Sequence, residues 1–112
     1  MFNNDKKIDC DACSIDAQPV SVEEIDMMKN SLKEWLFYEE EGVRKIKRVF
    51  TFNDFKSAQI FLNKVGDLAE KYEHHPEIIL SYGQCVVKWW SFGIKDVTLR
   101  DLDLACACNK FY

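Results

Sequence analysis

Apolar positions change their period several times along the chain, and each change marks an element. Ser21-Val22-Glu23-Glu24 has the form of a capping box, in which the serine hydroxyl accepts from the backbone at Glu24 and that carboxylate reaches back. A short helix is predicted after it, with Ile25, Met28 and Leu32 on one stripe. Trp35, Leu36, Phe37 and Tyr38 form a short bulky run that predicts a strand. Glu40-Glu41-Gly42 supplies a turn, and residues 44–52 predict a second strand. Ile46, Phe50 and Phe52 fall on one side of its pleat, Lys45, Lys47 and Thr51 on the other, with Val49 out of step. The two strands read as an antiparallel hairpin.

The most regular helix comes next. Asn53 or Asp54 caps it, and Phe55, Ala58, Phe61, Leu62, Val65, Leu68, Ala69 and Tyr72 recur at three-and-four spacing. It is predicted to stop before Pro76, because proline disfavours the helical conformation in the preceding residue. Residues 78–82 and 85–91 predict two more strands about a Gly83-Gln84 turn. The second is apolar on both faces, as suits a central, covered strand or one whose second face meets another subunit or a ligand. Thr98 to Asp101 repeats the capping pattern and opens a last helix through Leu102, Ala105 and Cys106. The resulting order α-β-β-α-β-β-α is an α+β fold, a four-stranded antiparallel sheet with helices packed on one face. Residues 1–20 are polar and without period, and read as an N-terminal arm before a single domain over 21–112.

Composition narrows the class. A hydrophobic share of 47% in 112 residues is ample for a core, which excludes disorder for the chain as a whole. No apolar run approaches the ~20 residues that span a bilayer, and the opening residues lack the apolar stretch of an export signal. A cytoplasmic protein without a membrane role is expected. The net charge of −4 argues against nucleic acid as a partner, since phosphate recognition needs a basic face. Five cysteines are an odd number for a disulfide framework. Cys10 and Cys13 form a C-x-x-C pair and Cys106 and Cys108 a C-x-C pair. Four sulfurs could hold zinc if the chain ends met, but the second spacing is unusual for such a site. Plain thiols are the favoured reading, with no metal.

Both histidines of the chain are adjacent, in Glu70-Lys71-Tyr72-Glu73-His74-His75-Pro76-Glu77. A helix end, whose dipole favours a cation, accounts for one imidazole. Two together, among three carboxylates and beside a proline, point to proton transfer. Glu70, four residues before His74, is expected to face that ring if the last turn stays helical. A carboxylate partner orients a ring nitrogen, and imidazole exchanges protons near neutral pH. Two histidines without a third ligand make a poor zinc site.

Glu70-x-x-x-His74-His75-Pro76, followed by Tyr82, Trp89-Trp90-Ser91 and Asp101, resembles the pterin-4a-carbinolamine dehydratase family. Cys10-Asp11-Ala12-Cys13 and residues 49–55 resemble its bacterial members, so that the likeness runs over residues 10–107. The resemblance implies the same order of elements. It also implies a hydro-lyase that dehydrates 4a-hydroxytetrahydropterin to quinonoid dihydropterin, without a metal or organic cofactor. That substrate is left when an aromatic amino-acid hydroxylase has used its pterin, so a functional link to such an enzyme is implied as well. By the family pattern His74 and His75 are the acid–base pair, Glu70 is the orienting carboxylate, and Asp101 is a further catalytic residue of the cleft. The pterin would lie along Glu73, His74, His75 and Pro76 and along Trp90, Ser91, Phe92 and Gly93. Homodimers or homotetramers are implied too.

One departure concerns Phe92, which stands where the family has a third histidine. A phenyl ring can stack on a pterin but cannot exchange a proton. The alternative is therefore a catalytically weakened member that serves as a binding, dimerisation or regulatory module. Asp96-Val97 also replaces a glycine-containing turn of the family pattern.

Overall fold

The structure is a computed structural model and describes residues 17–112. Its elements are α1 (Val22–Met27), β1 (Leu36–Glu40), β2 (Val43–Thr51), α2 (Phe55–Tyr72), β3 (Glu77–Ser81), β4 (Gln84–Trp89) and α3 (Leu99–Asn109). The strands form one antiparallel sheet in the order β1-β2-β4-β3, and α2 and α3 pack across one face of it. The expected α+β order is the observed one.

Local chemistry sets the boundaries. The capping box of α1 forms: Glu24 N donates to Ser21 Oγ at 3.0 Å and Ser21 N donates to Glu24 Oε1 at 2.9 Å. The helix ends at Met27, short of the predicted stripe, and Leu32 reaches the core from the turns that follow. Glu41 and Gly42 take φ of +53° and +79°, the mirror-image turn whose twist matches a two-residue hairpin. Gly83, at φ +77°, closes the second hairpin. Asp54 caps α2 by accepting from Ser57 N at 2.8 Å.

Val49 is an apolar residue of a largely polar row. It lies on the outer sheet face with Lys45, Lys47 and Thr51, opposite Val86 of β4. The residue that interrupts the apolar core-facing row is Arg48, between Ile46 and Phe50. β4 is central, which explains its apolar inner row: Cys85, Val87 and Trp89 are wholly buried beneath the helices. Phe50 and Phe61 meet with ring centroids 4.4 Å apart, and Trp35 approaches Phe50 edge-on at 5.9 Å. Burying such side chains contributes about 1.5–3 kcal/mol each.

Val20, the last residue of the expected arm, is buried, and its N–H donates to Val97 O at 2.7 Å. Arg44 clasps both ends of this contact, with Nη2 donating to Val20 O at 3.2 Å and Nε donating to Asp96 Oδ1 at 2.7 Å.

Cys10 and Cys13 lie outside the described residues. Cys85, Cys106 and Cys108 are buried free thiols, which burial pushes up to about 11, about 11 and about 12. Cys106 and Cys108, two apart on a helix, do not face one another. Among the described residues no group of three or more metal-ligating side chains is found, and no helix is long and apolar enough to cross a membrane.

Candidate active site

The site forms where α2 ends and α3 begins. Glu73 adopts the left-handed conformation, φ +51°, immediately after the last helical residue, Tyr72. His74 N then donates to Ala69 O at 3.1 Å and Glu73 N to Glu70 O at 3.3 Å, the paired bonds of a Schellman motif. The chain is thereby folded back across the last turn of its own helix, and Pro76 leads it into β3. Arg100, buried at the start of α3, ties the two helix ends together: its Nη1 donates to Tyr72 O at 3.2 Å.

This reversal determines which carboxylate meets which imidazole. Glu70 was expected to face His74, but the last turn does not continue as helix to that residue. Instead His75 Nε2 donates to Glu70 Oε2 at 2.6 Å, and His74 Nε2 donates to Asp101 Oδ1, also at 2.6 Å.

The two pairs differ in environment. His74 and Asp101 are buried, at 2% and 0% side-chain exposure, whereas His75 and Glu70 stand at 56% and 79%. The His74 ring stacks on Trp89, with centroids 5.8 Å apart and planes 8° from parallel. Asp101 Oδ2 accepts from Ser91 Oγ at 2.8 Å, Thr98 N at 2.9 Å and Thr98 Oγ1 at 3.2 Å. A buried carboxylate is stable only when its oxygens are satisfied in this way. Helix capping and histidine orientation are thus two functions of one side chain: Oδ2 serves the helix and Oδ1 the imidazole.

A second aromatic pair follows Trp89 in the chain. Trp90 is half-buried, with Lys45 Nζ 3.9 Å from its ring centroid and the exposed Phe92 ring 5.0 Å away at 45°. Lys45 is itself buried and donates to Glu40 Oε1 at 2.8 Å. Ser91 is fully buried and directs its hydroxyl to Asp101, and the backbone from Ser91 closes a tight loop by pairing with Asp96. Gly93 lies in that loop, while Tyr82 is exposed at the hairpin tip.

Sequence reasoning named both imidazoles and both carboxylates but missed the stacking of Trp89, the clamp of Arg100, and the hydroxyls of Ser91 and Thr98 as partners of Asp101. Only the capping pattern at Thr98 and Asp101 hinted at the last of these.

A cleft of about 370 Å³ lies elsewhere, at the carboxyl end of α3, lined by Arg48 and Asn109 among others and by neither histidine.

Residues 18–111 match the family described as Pterin 4 alpha carbinolamine dehydratase. A relative from Nitrosococcus oceani, named "Putative pterin-4-alpha-carbinolamine dehydratase", is 42% identical over 101 residues, covering 90% of this chain and 89% of its own. One of the same name from Chlorobaculum tepidum is 40% identical over 101 residues, covering 90% and 91%. The crystal structure of a transcriptional coactivator/pterin dehydratase from Brucella melitensis superimposes with a TM-score of 0.72 at 28% identity, over 84% of this chain and 98% of that one. The chain belongs to the pterin 4 alpha carbinolamine dehydratase family.

Proposed function

We propose that this protein dehydrates 4a-hydroxytetrahydropterin to quinonoid dihydropterin, with His74 and His75 dividing the proton transfers. The observation that carries this reading is the pair of imidazole–carboxylate contacts, each at 2.6 Å, at the junction of α2 and α3. One imidazole, protonated, gives its proton to the departing 4a-hydroxyl, which leaves as water. The other, neutral, takes the proton of the adjacent ring nitrogen, whose N–H electron pair becomes the new C=N bond. Protons and electrons balance with no external oxidant or metal. His75 is the group better placed to exchange with solvent, since it is more than half exposed. His74 is the more rigid, held between Asp101 and the Trp89 face. Trp90 and Phe92 offer flat surface to a bicyclic substrate.

The test follows loss of the carbinolamine with purified protein. A rate well above the spontaneous one, reduced by ~10²-fold or more in His74→Ala and His75→Ala, is expected for general acid–base groups. A rate equal to the spontaneous one, unchanged by either substitution, sinks the reading.

Phe92 favours a second reading, a member with weakened catalysis that works by binding or dimerisation. The phenyl ring is exposed beside Trp90 and carries no proton. Phe92→His separates the two: a large gain in dehydration rate marks the native chain as poorly suited to turnover, and an unchanged rate that already stands well above the spontaneous one supports the enzyme. Exposed Leu36, Val49 and Ile79 on the outer face of the sheet support the expected homodimer or homotetramer, and light scattering after size exclusion reads the mass directly.

A further inference from the structure

We propose that the cleft at the carboxyl end of α3 binds a small oxyanion, with Arg48 as its anchoring cation. Arg48 projects from the core-facing side of β2, its guanidinium carbon 4.5 Å from the Phe50 ring centroid and 5.2 Å from that of Tyr112. Its Nη1 donates to Asn109 Oδ1 at 2.8 Å. That same oxygen accepts from Trp35 Nε1 at 2.9 Å, and Asn109 Nδ2 donates to Ser31 O at 2.7 Å. The amide is therefore locked in one orientation and holds the guanidinium in place before any ligand arrives, which lowers the ordering cost of binding.

Charge supplies the second half of the argument. Among the described residues no carboxylate forms an ion pair with Arg48; its contacts are one neutral amide oxygen and two aromatic faces. A partly buried cation without a counter-ion is an unfavourable arrangement that an anion would relieve. The adjoining cleft, about 370 Å³, has room for one. Lys33 and Lys110 line it as well, against the single carboxylate of Glu34, so three cations face one anion. A carboxylate or phosphate suits this set, because the planar guanidinium fork matches two oxygens at once. The cleft does not depend on the histidine site: Asp101 and Asn109 lie at opposite ends of α3, ~12 Å apart at 1.5 Å per residue.

The experiment uses full-length ¹⁵N-labelled protein titrated with inorganic phosphate and, separately, with acetate, with ionic strength held constant by chloride. The Arg48 Nε–H and Asn109 side-chain amide resonances are followed. Saturable shifts with either anion are expected, and the tighter of the two identifies the oxyanion class. Arg48→Gln should weaken binding by about tenfold or more, as loss of a charge-assisted hydrogen bond predicts. Linear shifts that chloride reproduces, or an affinity unchanged in Arg48→Gln, overturn the proposal. If Arg48→Gln does not fold, the exposed pair Lys33→Gln and Lys110→Gln decides: weaker binding supports the site and unaltered binding removes it.

Discussion

His75 Nε2 lies 2.6 Å from the Oε2 of Glu70, five residues back along the chain, because the left-handed Glu73 reverses the backbone over the final turn of α2. The shift by one residue matters chemically. It leaves His74 to a different carboxylate, Asp101, brought in from α3 and screened from solvent.

The two carboxylates should therefore be unequal. Asp101→Asn replaces a buried acceptor that fixes the His74 tautomer, and the dehydration rate should fall ~10²-fold or more by analogy with buried His–Asp pairs elsewhere. Glu70→Gln removes an exposed, solvent-screened partner, and the loss should stay below about tenfold. Initial rates of the two purified variants, side by side, check the ranking. Equal losses would show that burial does not govern the contribution of each pair.

Arg100 is expected to act as a positioning residue. Its hydrogen bond to Tyr72 O joins the end of the helix that precedes the histidines to the helix that carries Asp101. Arg100→Met should lower turnover several-fold while Arg100→Lys restores part of it, with the pH profile of the rate altered in the first and not the second. A variant that loses thermal stability yet keeps the native pH profile would reduce Arg100 to a packing role.

Alkaline pH should destabilise the fold through its buried acids. Cys85 and Cys108 are pushed up to about 11 and about 12 from 9.0, and Tyr38 to about 12 from 10.0, all principally by burial. The folded chain binds more protons than the unfolded one in that range, so this stability is fully present below pH 9 and is lost as pH rises from 9 towards 12. Urea midpoints measured from pH 8 to 11 should decline. The same thiols should resist alkylation at pH 8 until the protein unfolds.

Tyr38→Phe should leave the fold as stable or more so, by up to about 1 kcal/mol. The Tyr38 hydroxyl is buried without a hydrogen-bond partner, while its ring keeps Lys47 Nζ at 4.6 Å from the centroid in either residue. Chemical denaturation of the two proteins gives the comparison, and a clear loss of stability would reveal a partner for that hydroxyl.

Local rules carried the fold a long way. Period-two and three-and-four spacing placed every strand and helix, because each element has to bury one face of its own sequence. Alternation holds even at Val49 and Arg48, where hydropathy alone misleads. Hydropathy assigns the valine to the core and the arginine to water, but strand alternation fixes the side, and the Asn109 amide with the Phe50 and Tyr112 rings accommodates the cation. The site divides in the same way. Adjacent imidazoles and nearby acids were plain in the primary sequence, since Glu70, His74 and His75 are neighbours in it.

What the sequence determined by itself, then, is the set of elements and the presence of two adjacent imidazoles close to Glu70, because both follow from short-range spacing. What only the tertiary structure decided is the pairing: that His74 takes Asp101 from 27 residues away and His75 takes Glu70. The physical reason is that a left-handed turn at one residue, and the packing of two helix ends on a shared sheet, set directions in space that no local pattern encodes.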